Sequence, residues 1–339
     1  MLVSRIPNDD LVESGPAPRV GHVDDYLGPA AERYFGSGYK RVSQRIADLA
    51  WLPGPDLPAG GHAEVTYPDD WSSKNRGLAS PIHLSTIDAL VLSQRLVETY
   101  LQSGLGLTSD QVSRAWLRRY TMRPGSQPHT DVHSVPLRIG LGESRPGARG
   151  WVSTEFVCVV GGIKVRCHVE HEVGRSPERA EPLSPVTAPY HGGGYRFRTH
   201  EIGDIIVLPE QRSLVATVDV RNGAETGAGA GELGAAYQPA ITLVDATIVY
   251  AQVAQVLMYS LDGLRRDETD TLWMRSVDMA RSGPGPALSG PVFCDSQVTR
   301  SSILDFAGGR WRVSTMKGIF ADTTVTHALG HRLPPAANA

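Results

Sequence analysis

Two groups of side chains in this sequence have types and spacings suited to chemistry. The first is His83 with Asp88 and Asp245. His83 stands at the head of a stretch from Ile82 to Ser103 that has no Gly or Pro. It therefore marks the mouth of a helix, where main-chain N–H groups and the helix dipole favour an anion or a thioester oxygen. A neutral imidazole there suits a general base that takes the proton of a hydroxyl attacking a thioester carbonyl. The bland reading is a surface or capping histidine. Asp88 and Asp245 each fall in the first turn of an apolar helix, where complementing the dipole accounts for both. A carboxylate entering a buried helix must also be paired or face a polar cavity, so Asp245 is a candidate catalytic partner for His83. The second group is His129-Thr130-Asp131-Val132-His133. On a strand, positions 129, 131 and 133 share a face. His129 and Asp131 with a distant His168 or His171 then match the facial triad of non-haem iron oxygenases, which is the rival chemistry. Absent that triad, no metal or other cofactor is called for.

Both groups sit inside an internal duplication. Tyr34-Phe35-Gly36-Ser37-Gly38-Tyr39-Lys40 returns as Tyr190-His191-Gly192-Gly193-Gly194-Tyr195-Arg196, 156 residues later. Asp48, Leu52-Pro53, Asp88-Ala89, Trp116, Arg118 and Met122 return as Asp204, Leu208-Pro209, Asp245-Ala246, Trp273, Arg275 and Met279 at separations of 156 or 157. Gly161-Gly162 is matched to Gly308-Gly309 at 147, which implies a second copy about ten residues shorter. Tyr39 and Tyr195 are candidates for lining a substrate tunnel, against a structural reading in which the glycines let backbones pack closely. Arg118 and Arg275 suit a carrier phosphate, against the reading of a solvated strand face. His83 has no counterpart in the second copy, where Ala240 stands.

The same elements are expected in each copy. Strands over 45–52 and 62–68 precede a helix from Ile82 to Ser103, apolar over most of its circumference and capped by Ser85 or Thr86. Strands follow over 112–122, 132–141, 151–160 and 163–171, the last two joined by a tight turn at Gly161-Gly162. The second copy supplies strands over 199–208 and 213–220, a helix over 240–262, and strands over 270–281, 291–299, 301–307 and 310–320. One long buried helix preceded by a strand or two and followed by about four antiparallel strands is the order of the hotdog fold. The expected class is α+β, a tandem double hotdog, in which each copy closes the other's open sheet edge. The boundaries are an N-terminal extension 1–29, repeat one 30–172, a Pro- and Ser-rich linker 173–189, repeat two 190–321 and a C-terminal tail 322–339.

Composition narrows the function classes. The 339 residues are 41% hydrophobic and 20% charged, which excludes disorder on this scale. A net charge of −3 without a basic cluster argues against a nucleic-acid partner. No signal-like segment and no run of roughly 18 apolar residues is evident, so no membrane partner and a cytoplasmic location are expected. Three cysteines, none in a CxxC pair, read as reduced thiols.

The stretch DDYLGPAAERYFGSGYKR resembles the opening of the avirulence D (AvrD) family, and the length and duplicated tyrosine motif fit that family end to end. The resemblance implies an enzyme that makes small acyl-sugar signals of the syringolide type. Its partners would be a β-ketoacyl thioester, on coenzyme A or an acyl carrier protein, and a sugar or polyol acceptor. A second resemblance runs to double-hotdog dehydratases and to the A-factor synthase hotdog domain. QPAITLVDA, ending in Asp245-Ala246, is similar to the dehydratase pattern HPALLDA, although the first half lacks HxxxGxxxxP. The expected class is thus acyl transfer or condensation. The alternatives are an acyl-thioester dehydratase or hydratase, an iron oxygenase and a non-catalytic hotdog that binds an acyl ligand.

Overall fold

The computed structural model describes residues 20–54, 58–70, 82–174, 183, 185, 189–227, 229–269, 272–306 and 309–334. Most of the expected linker and of both terminal extensions lies outside them. A short strand β1 (Val20–Gly21) and helix α1 (Val23–Leu27) precede the first repeat. That repeat comprises β2 (Ser43–Trp51), β3 (Ala59–Thr66), the long helix α2 (Thr86–Ser103), a short helix α3 (Ser109–Arg114) and strands β4 (Trp116–Arg123), β5 (Val135–Pro146), β6 (Trp151–Val160) and β7 (Ile163–Glu172). The second comprises β8 (Thr199–Leu208), β9 (Ser213–Arg221), helix α4 (Leu243–Asp262), β10 (Trp273–Ala280), β11 (Val292–Phe306), β12 (Gly309–Phe320) and β13 (Thr323–Arg332).

Both long helices begin on a capping box. The Ser85 hydroxyl accepts from Asp88 N–H while the Asp88 carboxylate accepts from Ser85 N–H, and Thr242 and Asp245 repeat the exchange. Past the cap both helices are apolar nearly all round and are core: Leu90, Leu92, Leu96, Val249, Val253 and Leu257 are fully buried. Each such side chain contributes roughly 1.5–3 kcal/mol. The strands alternate to match. Val165, Cys167, Val169 and His171 of β7 face inward, and Lys164 and Arg166 face out.

All strands join one antiparallel sheet in the order β1-β8-β9-β11-β12-β13-β10-β4-β7-β6-β5-β3-β2. Each half of it wraps one helix, and the halves meet where β10 pairs with β4, from Val277 opposite Met122 to Ala280 opposite Arg119. Even irregularities repeat: β2 and β8 each carry a bulge in which Asp48 (φ 52°) and Asp204 (φ 48°) occupy the left-handed region. The fold is a double hotdog.

Four expectations on element bounds are corrected. Residues 112–114 belong to α3 rather than to a strand, because Thr108 and Gln111 form a capping box that starts a helix there. Residues 291–299 and 301–307 are covered by one strand, β11, bent at a register shift between Val298 and Arg300. Repeat two does not end at 321: β13 pairs with both β10 and β12 inside the expected tail. Gly161-Gly162 links β6 to β7, and its counterpart is Ala321-Asp322 between β12 and β13, whereas Gly309 opens β12 and pairs with Phe306 of β11, so the second copy is not shorter. Among the described residues, one helix is long and apolar enough to cross a membrane by length and composition, α4, and 83% of its apolar stretch is buried inside the protein.

Candidate functional site

A cavity of about 940 Å³ opens at the mouth of α2. His83, Leu84, Ser85 and Thr86 form one wall, the 122–129 segment a second, and Ala251, Gln252 and Gln255 of α4 a third. Strands β10, β12 and β13 contribute Trp273, Arg275, Trp311 and His327, so both repeats build one cavity. Its surface is mostly apolar.

His83 is half-buried and stacks on the Trp273 indole, ring centroids 5.1 Å apart. His129 joins it because the Leu84 N–H donates to the His129 carbonyl at 2.9 Å, which ties the helix mouth to the loop. The two histidines that sequence analysis assigned to rival chemistries thus line one cavity. Polar groups surround them. Arg33, only 3% exposed, donates from Nη1 to Gln252 Oε1 at 2.8 Å and also pairs with Asp24. The Tyr34 hydroxyl donates to Ser85 Oγ at 2.5 Å. Burial brings the His327 imidazole down to about 4, so it is neutral at pH 7.

The two aspartates are elsewhere. Neither lines the cavity, and Asp245 is not brought to His83. Asp245 accepts from Arg198 Nη1, from His200 Nε2 at 2.8 Å and from Thr242 N and Oγ1 at 2.8 and 2.9 Å. Burial alone would raise its carboxyl, but Arg198 and His200 overcome that and hold it at about 2. Asp88 accepts from Gln44 Nε2 at 2.6 Å, from Ser85 Oγ at 2.6 Å and from the Tyr67 hydroxyl. These are matched networks, since Gln44 and His200 occupy equivalent positions. The expected catalytic role of the aspartates across the interface therefore gives way to helix capping and charge pairing.

Tyr39 and Tyr195 are also absent from the cavity wall and are buried. Each crosses between repeats to the other's network: the Tyr39 hydroxyl lies 3.4 Å from His200 Nδ1, and the Tyr195 hydroxyl 3.1 Å from Gln44 Nε2. Their rings stack at 6.3 Å. The tyrosine motif thus clamps the two copies together rather than lining a tunnel. Arg275 lines the cavity and Arg118 does not; Arg118 is paired with Glu170 at 3.0 Å on the outer surface.

The iron-triad alternative is not assembled. His129 Nε2 is 3.0 Å from the Asp131 main-chain oxygen, the Asp131 side chain is exposed, and His168 pairs with Glu155 at 3.7 Å. Among the described residues, the group compact enough for a metal is Glu98, His191 and Glu232. Sequence reading missed these three, together with Arg33, Gln252, Arg198 and His200. Polar residues on otherwise apolar helices, Glu98 and Gln252, were the available signal.

The model of the family described as Pseudomonas avirulence D protein (AvrD) matches residues 20–334. None of the curated protein sequences matches the chain. Similar solved structures include an acyl-CoA thioesterase II, TesB2, from Mycobacterium marinum (14% identity, 86% of this chain and 97% of that one, TM-score 0.40). A trans-AT polyketide synthase dehydratase domain from Brevibacillus brevis shares 11% identity over 75% of this chain and 86% of its own, with a TM-score of 0.34. A 12:0-ACP thioesterase from Umbellularia californica shares 11% over 87% and 98%, with a TM-score of 0.35.

Proposed function

The chain belongs to the Pseudomonas avirulence D family, and from that premise we propose that it is an acyl-thioester-processing hotdog enzyme that joins a β-ketoacyl thioester to a sugar or polyol. The observation that carries the reading is the mostly apolar cavity with His83 at the mouth of α2. The acyl chain occupies the apolar interior, and the thioester carbonyl sits at the first turn of α2. His83 takes the proton of an acceptor hydroxyl, the oxygen attacks the thioester carbon, and the tetrahedral oxyanion faces the positive end of the helix. The C–S bond then breaks, and the thiolate leaves with the proton held by His83, so ester and free thiol are the products. Trp273 orients the imidazole in place of the expected aspartate. Arg275, on the cavity wall, suits the phosphate of coenzyme A or a carrier protein.

The test is incubation of the protein with a β-ketoacyl thioester and a pentulose, read by mass spectrometry and by free thiol. Acceptor-dependent ester with stoichiometric thiol is the expected result. Thiol release indifferent to the acceptor means hydrolysis, loss of water from a hydroxyacyl thioester means a dehydratase, and binding without thiol release means an acyl-ligand module. A second reading places the base at His129, because its carbonyl bond to Leu84 brings it to the same mouth.

A further inference from the structure

Glu98, His191 and Glu232 come from three separate segments: helix α2, the second tyrosine motif and the Gly/Ala-rich loop before α4. Their side chains are 0, 3 and 1% exposed. His191 Nδ1 lies 2.6 Å from Glu98 Oε1 and 3.4 Å from Glu232 Oε1, and one ligating atom from each residue lies within 4.8 Å of the others. The geometry points to a site for a divalent first-row transition ion held by one imidazole and two carboxylates.

Hydrogen bonding leaves the cluster incomplete. Glu98 Oε2 is buried and has no hydrogen-bond partner, an arrangement that costs free energy unless a cation or a donor meets it. Arg95 also acts electrostatically on the cluster; its Nη1 goes to the Gln44 carbonyl at 3.1 Å, and its Nε is buried without a hydrogen-bond partner. The remaining carboxylate oxygens are already oriented by main-chain donors. Glu232 Oε2 accepts from Tyr190 N and Gly229 N at 3.0 and 3.1 Å, Glu232 Oε1 accepts from His191 N at 2.6 Å, and Glu98 Oε1 accepts from Leu233 N at 3.0 Å. Such outer contacts fix the direction of metal ligands in protein sites. Metal–ligand lengths of roughly 2.0–2.2 Å require ligand–ligand separations of about 3.0–3.5 Å. The 3.4 Å separation already complies, and the 2.6 Å one opens by about half an ångström as the ion enters. One nitrogen and two carboxylates, with no thiolate, suit Zn²⁺, Mn²⁺ or Fe²⁺.

The placement gives the site a purpose. Across the duplication, Glu98 answers to Gln255 and His191 to Phe35, both on the cavity wall. The residues that leave space in one half thus converge on one another in the other half. A bound ion there ties the loop and the second tyrosine motif to α2, closing the second half without an active site.

The full chain, purified without chelator, is expected to hold about one equivalent of Zn²⁺, Mn²⁺ or Fe²⁺ by elemental analysis. After chelator treatment, adding Zn²⁺ or Mn²⁺ restores one equivalent and raises the melting temperature. Glu98→Gln, checked for folding by circular dichroism, lowers the affinity at least 100-fold. Absence of both stoichiometric metal as purified and any heat or melting shift on adding Zn²⁺ or Mn²⁺ to the wild-type chain overturns the site and leaves a proton-sharing network. Unchanged affinity in folded Glu98→Gln overturns it equally, by locating the ion elsewhere.

Discussion

The mouths of α2 and α4 began as the same structure and now differ in a few side chains. Both are held by the same main-chain bond, Leu84 N to His129 O in one and Ile241 N to Pro286 O in the other, each 2.9 Å. At α4, Arg281 fills the entrance: its Nη1 donates to the Ile241 carbonyl and its Nε to the Leu117 carbonyl, both at 3.1 Å, and burial brings it down to about 10. Gly285 (φ 107°) packs so tightly that a Cβ would lie 2.4 Å from the Ile241 oxygen. At α2 the matching residues are Pro124 and Pro128, which line the cavity instead. Residues kept in both copies, such as the two capping aspartates and the crossing tyrosines, maintain the fold. Those that diverge include His83 against Ala240 and Gln255 against Glu98, and of these His83 and Gln255 line the cavity.

The sharpest way to break this comparison is to remove the divergent histidine. His83→Ala is expected to lower thiol release by about two to four orders of magnitude with an unchanged melting temperature. Ala240→His, at the filled mouth, should restore nothing in that background. If His83→Ala turns over normally while His129→Ala is inactive, the base moves to His129 and the cavity assignment stands.

The aspartate networks differ in charge, and that difference is measurable. Arg198 is fully buried against Asp245, whereas the equivalent network around Asp88 uses Gln44 and Tyr67. Arg198→Met strands a buried carboxylate and should cost about 3–5 kcal/mol in denaturant unfolding. Gln44→Leu removes one neutral donor and should cost about 1–3 kcal/mol. Equal losses would mean that the two networks are energetically interchangeable.

Much of this was legible in the sequence. The period of the tyrosine motif and the apolar helices specified two copies and the hotdog order, because burial on all sides of a long helix demands a sheet around it. The end of repeat two was misplaced because Gly308-Gly309 was matched to the wrong turn, although the alternation of Val325, His327 and Leu329 marks β13. The partners of Asp245 were not legible. Arg198 and His200 lie 47 and 45 residues away, and only the sheet's register brings them to the helix. The place of His83 at a helix mouth was legible because it is a local property.

Acid exposes the same asymmetry. The Asp245 carboxyl is held at about 2 against an ordinary 3.8, so its pairing stabilises the fold at pH above about 4 and that contribution is lost as the pH falls towards 2. The loss amounts to about 2 kcal/mol. Asp245→Asn should flatten the stability slope over that window while lowering stability at neutral pH.

A smaller effect separates the turns after β6 and β12. Gly161 (φ 60°) and Ala321 (φ 54°) share the left-handed conformation, so an alanine there is tolerated in one copy at a cost of about 1 kcal/mol. In the first copy the space is different, since a Cβ on Gly161 would lie 2.9 Å from the His129 ring. Gly161→Ala should therefore cost about 1 kcal/mol in stability but reduce turnover by roughly tenfold through His129 and the linked α2 mouth. A stability loss with unaltered kinetics would detach His129 from the site.

The smallest difference concerns the two arginines. Arg275 is exposed at the cavity wall, whereas Arg118 is a surface residue paired with Glu170. An exposed charge contact is worth about 1 kcal/mol or less, so Arg275→Ala should raise KM for a carrier-borne thioester by roughly fivefold, with kcat retained and the effect fading at high salt. Arg118→Ala should leave KM alone and change stability by under about 1 kcal/mol. Because the arginines are equivalent by duplication and differ in their access to the cavity, an equal rise in KM for both would show that the carrier approaches across the β4–β10 seam. A rise confined to Arg275 would make the open mouth of α2 the entrance for the thioester.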